Sequence, residues 1–239
     1  MADARKLAAA ALLRVEADGG YSNIVLNSAL NTSEISHADR TLASALFYGV
    51  LDRRITIDWL LSKHIKTPLK KVAPYTLTVL RCAVYQIAFM EKIPESAAVN
   101  EAVKLIKASG ERRNAAFVNA VLRNIIRTGT DLPYGNDVRT LSVRYSCPEW
   151  IVKSFINDYG EENAVELLSQ SLKTPPVTVR VNTVRTTPER LIKILEENNV
   201  KAAGTETENA LTISITGDIT ALLPYKEGLF HIQDTASQT

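Results

Sequence analysis

The sequence predicts an all-α helical domain followed by a small α+β domain. Three observations carry that reading. Apolar residues recur at helical spacing on both sides of a short charged turn between Ala98 and Ile126. Gly129, Pro133 and Gly135 then break the helical pattern within a few residues. Beyond that break, Val177, Val179 and Val181 alternate with Thr178, Arg180 and Asn182, as in a strand with one buried face. The domains are accordingly placed at residues 1–130 and 137–239, with the stretch Thr128–Asn136 between them.

The helical elements follow in order. Ala4, Leu7, Ala8, Ala11, Leu12 and Val15 line one face of a first helix that Gly19-Gly20 ends. Ser22 is expected to cap a short second helix carrying Ile24, Val25, Leu26 and Leu30. Ser36 with Asp39 resembles a capping box and opens one long run from Leu42 through Leu60. Pro68 interrupts the pattern, and Pro74 suits the first turn of the next helix, where a missing N–H costs nothing. That helix carries Leu77, Leu80, Ala83, Val84, Ile87 and Ala88 and closes at Ile93-Pro94. An αα-hairpin comes next. Its first helix presents Ala98, Val99, Ala102, Val103, Leu105 and Ile106 and stops near Gly110, which is expected to adopt a left-handed conformation. Its second presents Ala116, Phe117, Ala120, Val121, Ile125 and Ile126. In the second part, helices are predicted over 137–144, 148–158 and 161–172, with another opened by Thr187, Pro188 and Glu189. Further strands are predicted around 201–205, 211–215 and 229–233.

Charge is unevenly divided. The whole chain carries a formal +2, yet residues 1–134 hold 18 Lys and Arg against 12 Asp and Glu, while 135–239 hold 10 against 14. A basic first half suits a polyanionic partner and is equally what a solvated surface carries. Two cysteines cannot build a disulfide framework, and no apolar run approaches bilayer length, so a cytoplasmic protein without membrane partner is expected. There is no glycine-rich dinucleotide or phosphate loop and no zinc-protease motif. His37, His64, His231, Cys82 and Cys147 lack metal-ligand spacing, so no metal site is expected. Both cysteines read as small buried hydrophobes.

Candidate contacts to a polyanion are Arg5, Lys6, Lys70, Lys71, Arg112, Arg113, Arg123 and Arg127, with Arg180 and Asn182 on one strand face. Arg123 and Arg127 share a helix face with Asn119. Spacing alone fits phosphate contact and a solvated face equally well.

The order of segments resembles a known family. Residues 3–127 resemble the NusB-like helical domain, through DRTLASALFYGVLDRR (39–54), the stretch 76–110 and FVNAVLRNI (117–125). Residues 148–168, 175–191 and 228–238 resemble the segment preceding the catalytic domain of bacterial rRNA cytosine-C5 methyltransferases of the Sun/RsmB type. The resemblance implies that the intact protein methylates small-subunit rRNA with S-adenosylmethionine, one cysteine attacking C6 of cytosine and another assisting product release. Those cysteines and the cofactor-binding domain are expected beyond this chain, which on that reading binds no cofactor and is inactive alone. Arg180 and Asn182 match the family's RxN element. Gln233, Asp234 and Ser237 match its QDxxS element and are expected to face a cleft against the catalytic domain, although Asp234 and Ser237 also suit a helix cap. The implied partner is a single-stranded or hairpin rRNA target. A stand-alone antitermination module and a protein-interaction domain without RNA are the alternatives.

Overall fold

The computed structural model describes residues 3–173, 175–215 and 219–238. Contacts divide the chain into two compact units, Met1–Leu172 and Lys173–Thr239. The first unit is helical: α1 (Ala4–Asp18), α2 (Ser22–Asn31), α3 (His37–Asp52), α4 (Arg54–Ser62), α5 (Pro74–Phe89), α6 (Glu95–Lys107), α7 (Ala115–Thr128), α8 (Val138–Tyr145), α9 (Glu149–Tyr159) and α10 (Glu161–Ser171). Its main core draws Leu12, Leu26, Phe47, Ile57, Leu60, Leu80, Ile106, Leu122 and Ile125 from α1 to α7. Helix α5 runs through the middle of this core, with every residue from Thr76 to Val84 buried. A largely apolar helix buried on every face belongs inside a bundle, and the few polar side chains it carries there must find partners within the protein. Where α3 crosses α5, Gly49 makes room for the Tyr85 ring: a Cβ there would lie 2.0 Å from it, so the ring would have to shift.

Several local expectations need correction. The run from Leu42 to Leu60 is two helices, because the backbone at Arg53 leaves the helical region (φ −104°, ψ 16°) and redirects the chain. Ser22 is the first residue of α2, not its cap; Tyr21 occupies the cap position and makes no side-chain bond there. Gly110 is not left-handed, and α6 ends earlier, through Ala108. On α7 the buried stripe is Ala115, Val118, Val121, Leu122 and Ile125, whereas Phe117 is 38% exposed. The helix presents Leu122 to the core and turns Ala116 and Ala120 outward. The apolar tally of a helix rich in alanine left two stripes possible, and packing against α6 selects the one with the larger branched residues.

Other expectations hold. Gly19 closes α1 in the left-handed region, Ser36 accepts from the Asp39 amide, Pro74 begins α5 and Thr187 accepts from the Arg190 amide.

The predicted boundary at 128–136 falls inside the first unit. Helices α8 to α10 enclose a satellite core of Leu141, Val152 and Leu168, and α8 docks on α4. There Thr56 Oγ1 donates to the Val143 carbonyl (2.5 Å), and Ser146 Oγ accepts from the Ile55 amide (3.1 Å). A buried hydroxyl satisfied by the neighbouring helix ties the two elements into one body.

The second unit is a four-stranded antiparallel sheet with one long helix. Its elements are β1 (Val177–Val181), α11 (Pro188–Glu197), β2 (Lys201–Gly204), β3 (Ala210–Ser214), α12 (Leu223–Lys226) and β4 (Phe230–Ile232), in the strand order β2-β3-β1-β4. Val179, Val181, Leu211, Ile213 and Phe230 pack against Leu191 and Leu195 of α11. Arg180 pairs in register with Ala210 on one side and His231 on the other. The alternation of β1 is thus what the sequence predicts: valines inward, Arg180 outward.

Candidate nucleic-acid interface

The candidate cations fall into distinct settings. Lys70 and Lys71 form a short 3-10 turn (Leu69–Lys71) just before α5, and both are exposed. Arg112 and Arg113 lie in the connection between α6 and α7, also exposed. That connection is fastened to the start of α5 by Glu111. Its carboxylate accepts from the Thr76 amide (2.8 Å) and the Thr76 hydroxyl (2.5 Å), while Asn114 Nδ2 donates to the same hydroxyl (2.9 Å). A carboxylate suits this place because the first amides of a helix lack intrahelical acceptors and the helix end is electropositive. Lys6, exposed on α1, borders a shallow depression with Tyr75, Leu105, Ala108 and Ser109. Five of the candidates therefore gather around the amino-terminal end of α5. Among the described residues Lys70, Lys71, Arg112 and Arg113 make no ion pair.

Arg5 is placed differently. It is half-buried, and its Nε donates to Gln86 Oε1 (2.8 Å), joining α1 to α5. Arg123 and Arg127 are exposed on α7 but tethered: Arg123 Nε donates to Asn119 Oδ1 (3.1 Å), and Arg127 donates to Asn124 Oδ1 (2.6 Å). Asn124 in turn donates to His64 Nδ1 (2.9 Å). Burial, helped by the Lys63 charge, holds the His64 pKa below its ordinary value.

In the second unit Arg180 is exposed on the open sheet face. Asn182 has its side chain engaged locally: Nδ2 donates to the Gly228 carbonyl (2.8 Å), and Oδ1 accepts from the Val184 amide (3.3 Å). It braces the turn after β1 against the turn before β4. The last segment closes on itself. Gln233 Nε2 donates to the Ser237 carbonyl (2.8 Å), and Asp234 Oδ1 accepts from the Ala236 amide (2.9 Å), capping the 3-10 turn Thr235–Ser237. Ser237 is exposed.

Two features escaped the sequence reading. Arg81, only 5% exposed, sits among apolar residues of α5. It makes a two-pronged contact with Asp58 (2.7 and 2.8 Å) and a third bond to Glu16 (2.6 Å), and Arg54 reaches Glu16 at 2.5 Å. A lone charge inside an apolar helical run with no solvated face is the clue that would have found it, since a buried guanidinium needs acceptors. The other is Glu111, whose value lies wholly in its distant partner, Thr76.

Neither cysteine is set up as a nucleophile. Burial pushes the Cys82 thiol up to about 12, and burial also raises that of half-buried Cys147. Since the thiolate is the reactive form, neither environment activates sulfur. The sheet's three ladders are all antiparallel. Among the described residues no cluster of three or more His, Cys, Asp or Glu could hold a metal ion, and no helix is long and apolar enough to cross a membrane.

Comparison with known proteins matches two successive families along the chain. Residues 2–127 match the NusB family, and residues 147–220 match the RsmF/B-like methyltransferase ferredoxin-like domain. A probable ribosomal RNA small subunit methyltransferase B of Bacillus subtilis (strain 168) is 34% identical over 98% of this chain and 52% of its own length. A protein of the same name from Synechocystis is 28% identical over 100% of this chain and 54% of its own. The chain thus spans about half the length of these relatives. The crystal structure of PH0851 shares the fold, with a TM-score of 0.68 at 17% identity over 98% of this chain and 53% of that one. Packing and family boundaries cut the chain differently: α8 to α10 join the helical unit in space, while the ferredoxin-like match already begins at residue 147. Through residues 2–127 the chain belongs to the NusB family, and a NusB domain followed by an RsmF/B-type ferredoxin-like domain is the N-terminal arrangement it shares with small-subunit rRNA methyltransferases B.

Proposed function

We propose that this chain holds RNA for an rRNA methyltransferase, the intact protein transferring a methyl group from S-adenosylmethionine to C5 of a cytosine in small-subunit rRNA. The observation that carries the reading is the gathering of Lys6, Lys70, Lys71, Arg112 and Arg113 around the start of α5, where Glu111 is already engaged by Thr76. Exposed cations without carboxylate partners are free to replace the counterions of a phosphate backbone. In this reading the cofactor and the attacking thiol lie in a part of the intact protein outside this chain. Arg180, Gln233, Asp234 and Ser237 would then face that part, and Asn182 would keep the strand end that carries Arg180 in shape. The stand-alone antitermination alternative leaves the ferredoxin-like match at 147–220 without a role.

The test is a filter-binding titration of small-subunit rRNA hairpins at several salt concentrations. The wild-type chain should lose affinity steeply as salt rises. Replacing Lys70, Lys71, Arg112 and Arg113 together by Gln should flatten the log–log slope by up to about 3, at ~0.7 per contact for single strands. Binding that is absent in the wild type, or indifferent to salt, would sink the reading.

A further inference from the structure

We infer that Tyr134 is a stacking platform for one unpaired nucleobase of the bound RNA. The inference rests on the RNA-binding reading above and adds to it a site of a different chemical kind. Tyr134 is 99% exposed, so its ring contributes almost nothing to the core. It nevertheless has a cation beside it. The Arg144 guanidinium of α8 lies over it, 5.3 Å from the ring centre, and Arg144 also donates to the Pro133 carbonyl at 3.0 Å. The same guanidinium lies 6.0 Å from the Tyr145 ring.

The backbone on the other side of the tyrosine is fixed as well. Gly135 takes φ 136°, a conformation that side chains resist. Two residues later Asp137 caps α8, its Oδ1 accepting from the Thr140 amide at 3.0 Å. A cation anchored to the neighbouring backbone therefore stands near the ring, while nearly the whole side chain stays open to water. A planar π surface this open, with a guanidinium beside it, offers a face on which a second planar group can stack.

Local charge narrows the ligand to a base. From Gly129 to Tyr145, Asp131 and Asp137 balance Arg139 and Arg144, so the segment has no net attraction for phosphate. Its contribution should be stacking, which releases no counterions. The α5 cations act in the opposite manner, and the two contributions can be separated by salt.

The experiment titrates the chain with small-subunit rRNA hairpins carrying 2-aminopurine at single unpaired positions, comparing wild type, Tyr134→Ala and Tyr134→Phe at several salt concentrations. Tyr134→Ala should bind about tenfold more weakly at every salt concentration, giving a line parallel to wild type, as expected when one base–aromatic stack is lost. Tyr134→Phe, which keeps the ring, should stay within about twofold of wild type. One labelled position should change fluorescence with wild type and Tyr134→Phe and not with Tyr134→Ala. Because Tyr134 is solvent-exposed, thermal melts of all three should coincide. Wild-type binding without salt dependence would overturn the RNA reading itself. Salt-dependent wild-type binding that Tyr134→Ala reproduces, with the fluorescence response intact, would overturn the stacking site alone, as would a change in salt slope.

Discussion

The middle and the start of one helix use their charges in opposite ways. At its middle turns α5 places Arg81 against Asp58 and Glu16, which also receives Arg54. At its start the nearby carboxylate, Glu111, binds the backbone and hydroxyl of Thr76, while Lys70, Lys71, Arg112 and Arg113 remain exposed around it. The same residue types hold a fold together in the first case and leave a surface positive in the second. What decides the difference is where each carboxylate finds its donors. A count of 18 cations against 12 anions in residues 1–134 treats them all alike. Only the three-dimensional partners separate cations that are committed from those able to meet a polyanion.

The sharpest way to break this contrast is Arg81→Met. The substitution keeps the apolar stem but leaves Asp58 and Glu16 with only the more exposed Arg54 as countercharge. Removing one partner from a buried ion pair costs about 3–5 kcal/mol. Both carboxylates keep roughly a quarter of their side-chain surface in water, so screening brings the expected loss to about 2–4 kcal/mol. Urea unfolding reads it directly. A loss below about 1 kcal/mol would mean that Arg81 is held by packing and not by its acids.

A smaller effect is expected from Glu111→Ala. It removes the acceptor of the Thr76 amide at the third residue of α5 and frees the loop that carries Arg112 and Arg113. Loss of a charged cap costs about 1–2 kcal/mol. Glu111→Gln, which keeps an oxygen acceptor, should cost about half as much in the same unfolding measurement. If instead Glu111 mainly screened the neighbouring arginines, both variants would raise RNA affinity equally and leave stability alone.

Much of this architecture could be read from the sequence, and what could not has a physical pattern. The start of α5 was legible because Pro74 is a local signal. The face of β1 was legible because alternation over five residues leaves one choice. The face of α7 was not, since alanines at 115, 116 and 120 let Phe117 look like a core residue until packing against α6 chose Leu122. The helical unit extends past the Gly129–Gly135 break because α8 finds its partners in α4, some 87 residues earlier, through Thr56 and Val143. The cations themselves were legible as candidates. Availability was legible only in part: Asn119 and Asn124 lie within a turn of Arg123 and Arg127, whereas Arg5 meets Gln86, 81 residues on, only in space.

Arg127 lies between the two extremes, and His64 offers the finest probe of it. Arg127 donates to Asn124 Oδ1, which fixes the amide so that its NH2 group points at His64 Nδ1. His64 Nδ1 must therefore accept, and the ring proton sits on Nε2, toward Thr128 Oγ1 at 3.4 Å. Protonation would put a second donor against the Asn124 NH2, so the imidazolium form is disfavoured. Burial and the Lys63 charge act in the same direction. The sign follows from linkage: the unfolded chain, with His64 near its ordinary value of 6.5, binds this proton before the folded chain does. His64 therefore adds stability above pH 6.5 that is lost as pH falls through the lower folded pKa. The expected outcome is that wild type loses more stability than His64→Gln between pH 7 and pH 5 in paired denaturant titrations, because the carboxylates titrate alike in both. The difference should be small, since the ring is only partly shielded. Equal losses would show that the Asn124–Arg127 tether does not depend on the charge state of His64.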